Sequence, residues 1–226
     1  MTKSSVVHDG TKSSGWAPGP NRPTSWREGL GRLGPADILL PLIAGLAAGL
    51  LFVGLFPGRA LSTLMHNVMW LPGPGAGTGM VTGPLIILAS LVVYTFRRKP
   101  LVAFITALAA GTSQTIGSVY ISPGVLTPAT VPAAVLSVIV MATVLEACLL
   151  ALRGLADTFA LPAAAVAADL AHLGFQWAAV FPIIKRNVLP DDAALLAGLA
   201  TAASVLLGAL PVLLFRRFLA GPNKPK

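Results

Sequence analysis

Charge is what this sequence has least of. Its 226 residues include 16 Lys or Arg and 8 Asp or Glu, 11% in all, where soluble domains carry about 25%. A soluble helical protein of this length needs a polar shell, and so few charges do not supply one. Cysteine is nearly missing as well. Cys148 stands alone inside an apolar block, which excludes an intrachain disulfide or a Cys-rich metal site and reads as packing. Histidines at 8, 66 and 172 are too scattered for a metal cluster. There is no Walker-type phosphate loop, no His-Glu-x-x-His, no Gly-x-Ser-x-Gly and no pair of intramembrane aspartates. The glycine-rich PGPGAGTG at 72–79 lacks the Lys and the strand–helix context of a phosphate loop. No hydrophobic run bears the repeated arginines of a voltage sensor. With no nucleophile–base constellation in view, no catalytic residue and no cofactor is expected, and an enzyme ranks last among the functions considered.

What the chain has in quantity is apolar sequence, 55% of its residues, gathered in blocks rather than at amphipathic spacing. A bilayer core about 30 Å thick takes roughly 20 helical residues. Six blocks meet that length, over 36–56, 80–96, 101–119, 131–152, 163–184 and 193–215. The expected fold is therefore all-α, a polytopic membrane bundle of six transmembrane helices over 36–217 in contact with lipid. Prolines at 57, 100, 123, 128, 162, 182 and 190 fall near the proposed boundaries, where a missing amide donor costs least. Residues 1–35, rich in Ser, Gly, Pro, Lys and Arg, read as a disordered or interfacial cytoplasmic tail, with no short apolar stretch of the kind a signal peptide has. Residues 218–226 form a second tail.

The net charge of +8 invites nucleic acid as a partner, but its distribution argues against that. With the N-terminus inside, only Arg59, Lys185 and Arg186 fall in outer loops, leaving thirteen of the 16 basic residues inside. That bias orients membrane proteins and puts both termini in the cytoplasm, the bundle in a cell (inner) membrane, and the irregular segment 57–79 outside.

Polar groups inside spans are costly, so each is a candidate. Asp169, His172 and Gln176 are spaced to share one face of the fifth span, with Trp177 at its edge. Asp169 and His172 are positioned to pair. The face suits a polar small molecule, or alternatively a packing seam. Glu146 is the acidic residue of the fourth span, suited to a cationic ligand or to a neighbouring helix. Gln114 stands out in the hydroxyl-rich run 112–115 of the third span, and His66, Asn67 and Trp70 of the external segment are placed to close over a ligand. In the first span, Ala44 with Ala48, and Gly45 with Gly49, are small residues four apart that let another helix approach closely.

Six spans in about 200 residues, Ala44-x-x-x-Ala48 in the first, and an irregular segment before the second resemble the substrate-binding (S) component of an energy-coupling factor transporter, over residues 36–217. The resemblance implies a subunit that captures a vitamin or a metal. It implies docking through the first-helix alanines onto a transmembrane coupling subunit driven by two ATPases. It also implies a ligand held near the outer face beneath the loop after the first helix, where His66 to Trp70 lie. The long N-terminal tail and the alanine-rich fifth span depart from that pattern. The nickel/cobalt subfamily begins with an essential histidine that is missing here, so a small organic vitamin or precursor is expected rather than a metal. Two other classes remain: a proton-coupled secondary transporter using Glu146 and Asp169 as an oligomer, and an assembly subunit of a larger membrane complex.

Overall fold

The computed structural model describes residues 33–56, 60, 63–71, 75–121, 126–185 and 189–220. The sequence-assigned tails therefore lie outside the described residues, except for residues 33–35 and 218–220. Helix α1 spans Pro35–Leu55, α2 Gly83–Arg97, α3 Val102–Tyr120, α4 Val131–Ala151, α5 Asp157–Phe175, α6 Pro190–Ala203 and α7 Leu210–Ala220. Wider π turns extend three of these: Thr78–Thr82 leads into α2, Gln176–Val180 follows α5, and Ser204–Ala209 joins α6 to α7. There is no strand among the described residues. Six helical stretches are long and apolar enough to cross a bilayer: Pro35–Leu55, Thr78–Arg97, Val102–Tyr120, Pro128–Ala151, Asp157–Val180 and Pro190–Phe218. That matches the six expected from the hydropathy blocks.

Helix starts follow proline placement. Prolines occupy the first turn of α1, α2, α4 and α6, where the amide they lack has no intrahelical partner anyway. One boundary differs from the sequence expectation. The fifth span begins at Asp157, six residues before 163, and Pro162 lies inside it rather than at its edge. Its first residue carries a charge because partners are waiting for it: Arg98 donates to Asp157 Oδ2 at 2.6 Å, and Arg216 pairs with the same oxygen. An acidic group at a helix N-terminus also complements the helix dipole.

Helix α3 is wedged between α1, α2 and α4, while α2 also touches α5 and the Ser204–Ala209 turn. The core combines large side chains on α2 and α4 (Ile86, Ile87, Leu91, Met141, Leu145) with alanines on α3 and α5 (Ala103, Ala107, Ala110, Ala164, Ala165, Ala168). Small faces against large ones allow close helix approach, the usual solution where lipid removes the hydrophobic drive between helices. Leucines and isoleucines such as Leu39, Ile43 and Leu51 remain exposed on the bundle's outside, as a hydrocarbon surround allows.

The basic residues Arg97, Arg98 and Lys99 between α2 and α3 form a hub at one end. Lys99 donates to Asp37 Oδ2 at 2.6 Å and Arg97 lies 3.6 Å from Oδ1, tying in the start of α1. Arg98 and Arg216 meet on Asp157, tying in the fifth and sixth spans. Both ends of the described chain thus lie on this basic side of the bundle.

Candidate functional site

The fifth span carries the densest polar group in the interior, and the structure divides it in two. Asp169 is fully buried (0% exposed) and His172 nearly so (3%). They are not paired with each other. Asp169 turns toward the sixth span, where Ser204 Oγ sits 2.8 Å from its Oδ2 and 2.8 Å from the Ala200 carbonyl. His172 turns toward α4: its Nε2 lies 3.2 Å from Gln176 Nε2, which also donates to Ser137 Oγ at 3.4 Å. The expected Asp169–His172 contact gives way because each side chain has a serine-bearing neighbour on a different helix. Asp169 Oδ1 and His172 Nδ1 are buried with no hydrogen-bond partner. A polar atom left bare in an apolar interior is expensive.

The sixth and fourth spans thus supply Ser204 and Ser137, which the sequence analysis did not single out. Their signal was faint, each being one hydroxyl in an apolar run. It also missed a glycine stripe. Gly75, Gly79 and Gly83 follow at four-residue intervals and lay the segment before α2 along α5. A side chain at Gly75 would meet Leu173 at 2.9 Å and Trp177 Nε1 at 3.0 Å. One at Gly79 would meet Leu173 at 3.0 Å and Ala200 at 3.1 Å, and one at Gly83 would land on Asp169 Oδ1. Gly75 also has φ +104, a backbone region open to glycine. The run 72–79 thus does not stay irregular to its end as expected: from Ala76 it is helical and enters the π turn. Glycines make that possible, since side chains there would hold the segment off α5.

The segment between α1 and α2 closes over this end of the bundle through residues other than those expected. Met65, Ala76 and Leu196 are buried together, with Leu71, Met80, Val81 and Trp177 packed against them. His66 is half-buried, and its Nδ1 donates to the Leu71 carbonyl at 2.8 Å, closing its own turn. Asn67 is exposed and Trp70 is 85% exposed. Gln114 donates to Ser118 on its own helix at 3.0 Å and makes no described hydrogen bond to the fifth span.

Glu146 lies elsewhere. Its carboxylate accepts from the amides of Leu101, at 2.9 Å, and Phe104, at 3.2 Å, and so covers the N-terminus of α3 at the basic end. Asp169 is in the middle of the fifth span, level with Gly83 and Ser204. The secondary-transporter alternative used the two carboxylates together. The structure separates them and gives Glu146 a capping role, because the first amides of a helix attract an anion.

The small residues of α1 separate too. Gly45 and Gly49 are buried against α3: a side chain at Gly45 would lie 2.5 Å from the Thr106 carbonyl oxygen, and one at Gly49 would overlap Ser113 and the Ala110 carbonyl. These glycines, expected on a docking face, are used within the chain. Ala44 and Ala48 are half-buried at the flank of the same contact. Among the described residues no group of three His, Cys, Asp or Glu is arranged to hold a metal ion.

No protein-family model and no curated protein matches the sequence. The fold does have a match. A crystal structure of an S-component of an ECF transporter superposes on 83% of this chain and 86% of its own, with a TM-score of 0.57 at 18% identity. The architecture anticipated from six spans and a small-residue first helix is thus found in a solved structure of that kind.

Proposed function

We propose that this chain is the membrane-embedded, ligand-binding subunit of an uptake transporter, taking a small organic molecule such as a vitamin or vitamin precursor. The observation that carries the proposal is the fold shared with an ECF transporter S-component over 83% of the chain. The two bare polar atoms on the fifth span, Asp169 Oδ1 and His172 Nδ1, support it, because unsatisfied buried groups inside a membrane bundle mark ligand pathways. In this proposal Asp169, His172 and Gln176 contact the ligand. Trp177 with Met65, Leu71, Ala76 and Met80 covers it from the non-basic side, which faces outward by the positive-inside rule. Both termini are then cytoplasmic, in a cell (inner) membrane. Energy comes in trans, from ATPases acting through a coupling subunit that docks on α1 near Ala44 and Ala48.

The test is to purify the protein in mild detergent and identify co-purified small molecules by mass spectrometry, then measure uptake with and without co-expressed coupling and ATPase subunits. A bound organic molecule and ATPase-dependent uptake support the assignment. No bound molecule, together with ion-driven flux by the chain alone in liposomes, rejects it in favour of a secondary transporter.

A further inference from the structure

The basic end of the bundle carries the same triplet twice. Phe96-Arg97-Arg98 closes the second span, and Phe215-Arg216-Arg217 lies near the end of the sixth. The two helices that bear them, α2 and α7, pack against each other, and Phe96 meets Phe215 edge to face with ring centroids 6.2 Å apart. Each triplet sends one arginine to a shared acceptor, since Arg98 and Arg216 both pair with Asp157 Oδ2. Two guanidinium groups on one carboxylate leave a positive charge over. Arg98, Asp157 and Arg216 keep 23%, 25% and 27% of their side-chain surface exposed, so a further anion can reach them. The other arginine of each triplet, Arg97 or Arg217, is exposed.

The charge is confined to this end. Among the described residues, Arg97, Arg98, Lys99, Arg153, Arg216 and Arg217 stand there against Asp37, Asp157 and the inward-turned Glu146, whereas at the far end Lys185 stands against Asp191 and Asp192. The cations also sit directly beside exposed rings: Phe96 is 63% exposed and Phe218 83%. Where a span leaves hydrocarbon, an arginine extends its head into the headgroup layer while an apolar neighbour stays among the chains. A free anion would leave those rings uncovered, and a water-soluble acidic partner would have to reach beneath the headgroups to touch them. A molecule with an anionic head and an acyl chain covers both.

We propose that the junction of the second and sixth spans at the basic end holds an anionic phospholipid. Its phosphate takes up the excess charge of the arginines around Asp157, through the planar donor fork that suits phosphate oxygens, and an acyl chain lies along Phe96 and Phe215. The lipid then braces the two spans where Asp157 already joins them. The proposal rests on the membrane-spanning fold and stands apart from the ligand-binding reading above.

The experiment releases the full chain from nanodiscs of mixed phosphatidylglycerol and phosphatidylcholine and counts retained lipids by native mass spectrometry. Phosphatidylglycerol should be retained saturably and in preference by about 5- to 25-fold, the effect of one to two basic side chains near a membrane surface. Arg217→Gln should lower that preference about fivefold. Lys185→Gln, the same change at the far end, should leave it as in wild type. Inorganic phosphate should not displace the lipid. Equal retention of the two lipids overturns the proposal and leaves the patch to an acidic protein surface, and displacement by inorganic phosphate overturns it in favour of a free anion. Wild-type preference in Arg217→Gln, or an equal loss in Lys185→Gln, overturns it as well. Should Arg217→Gln fail to fold, the lipid preference and the phosphate competition of the wild-type chain decide.

Discussion

At the scale of single residues, the interior is decided by what a side chain would strike. Gly49 is the sharpest case, because a Cβ there overlaps Ser113 Oγ and the Ala110 carbonyl of α3. Backbone atoms cannot rotate away, so α1 and α3 would have to separate. Gly49→Val is expected to destabilise the bundle by about 1–3 kcal/mol, the usual cost of overpacking. That would appear as a lower melting temperature in detergent. Gly54, with open space around its Cα, is the control: Gly54→Ala should melt like wild type. Identical melting of Gly49→Val would show that the α1–α3 contact is looser than drawn. The same geometry takes Gly45 and Gly49 out of any outer face of α1, while Ala44 and Ala48 stay half-buried beside them.

At the scale of elements, two devices organise the bundle's ends. The first is the Glu146 carboxylate on the α3 N-terminus. Leu101, just ahead of that helix, has φ +67, an uncommon conformation for leucine, and the hydrogen bond its backbone N–H donates to Glu146 holds it there. Glu146→Gln keeps the shape and removes the charge. It should cost about 0.5–2 kcal/mol of stability, as for other helix N-terminal anions, with ligand affinity unchanged. A large loss of affinity with normal melting would return Glu146 to the binding site. The second device is the glycine-lined segment that leads into α2. Gly79→Leu would push it away from Leu173 and Ala200. In a Cys148→Ala background, maleimide labelling of a cysteine replacing the buried Met65 should then speed up on the order of tenfold. Unchanged labelling would mean that the segment is anchored by contacts other than the glycine stripe.

At the scale of the whole molecule, the ion pairs of Asp37 and Asp157 with Arg97, Arg98, Lys99 and Arg216 gather the first, second, fifth and sixth spans at one end, and Glu146 ties the fourth to the start of the third. The end is cross-braced by charge, whereas the far end is held by apolar contacts and π turns. The three π turns that extend the spans lie toward that far end or the middle of their spans, and such widened turns are frequent where helices serve ligands. Orientation is testable directly: reporters fused at the two termini should both register in the cytoplasm, and one inserted between residues 186 and 188 should register outside. Termini on opposite sides would undo the six-span topology.

Hydropathy and charge placement, properties of the chain that need no partner, determined the number of spans, their approximate limits and the all-α class. Length against bilayer thickness decides those locally, one block at a time. The polar face of the fifth span was legible for the same reason, since helical spacing alone puts Asp169, His172 and Gln176 together. Which neighbour each of them meets was not. Ser204 and Ser137 lie 35 and 39 residues away in sequence from Asp169 and Gln176, and no spacing rule joins positions on different helices. Only the packed bundle sent Glu146 to cap α3, turned Gly45 and Gly49 inward, and fitted Gly83 over Asp169, because those outcomes depend on how closely two backbones approach. That distance is a property of the pair of helices and not of either sequence.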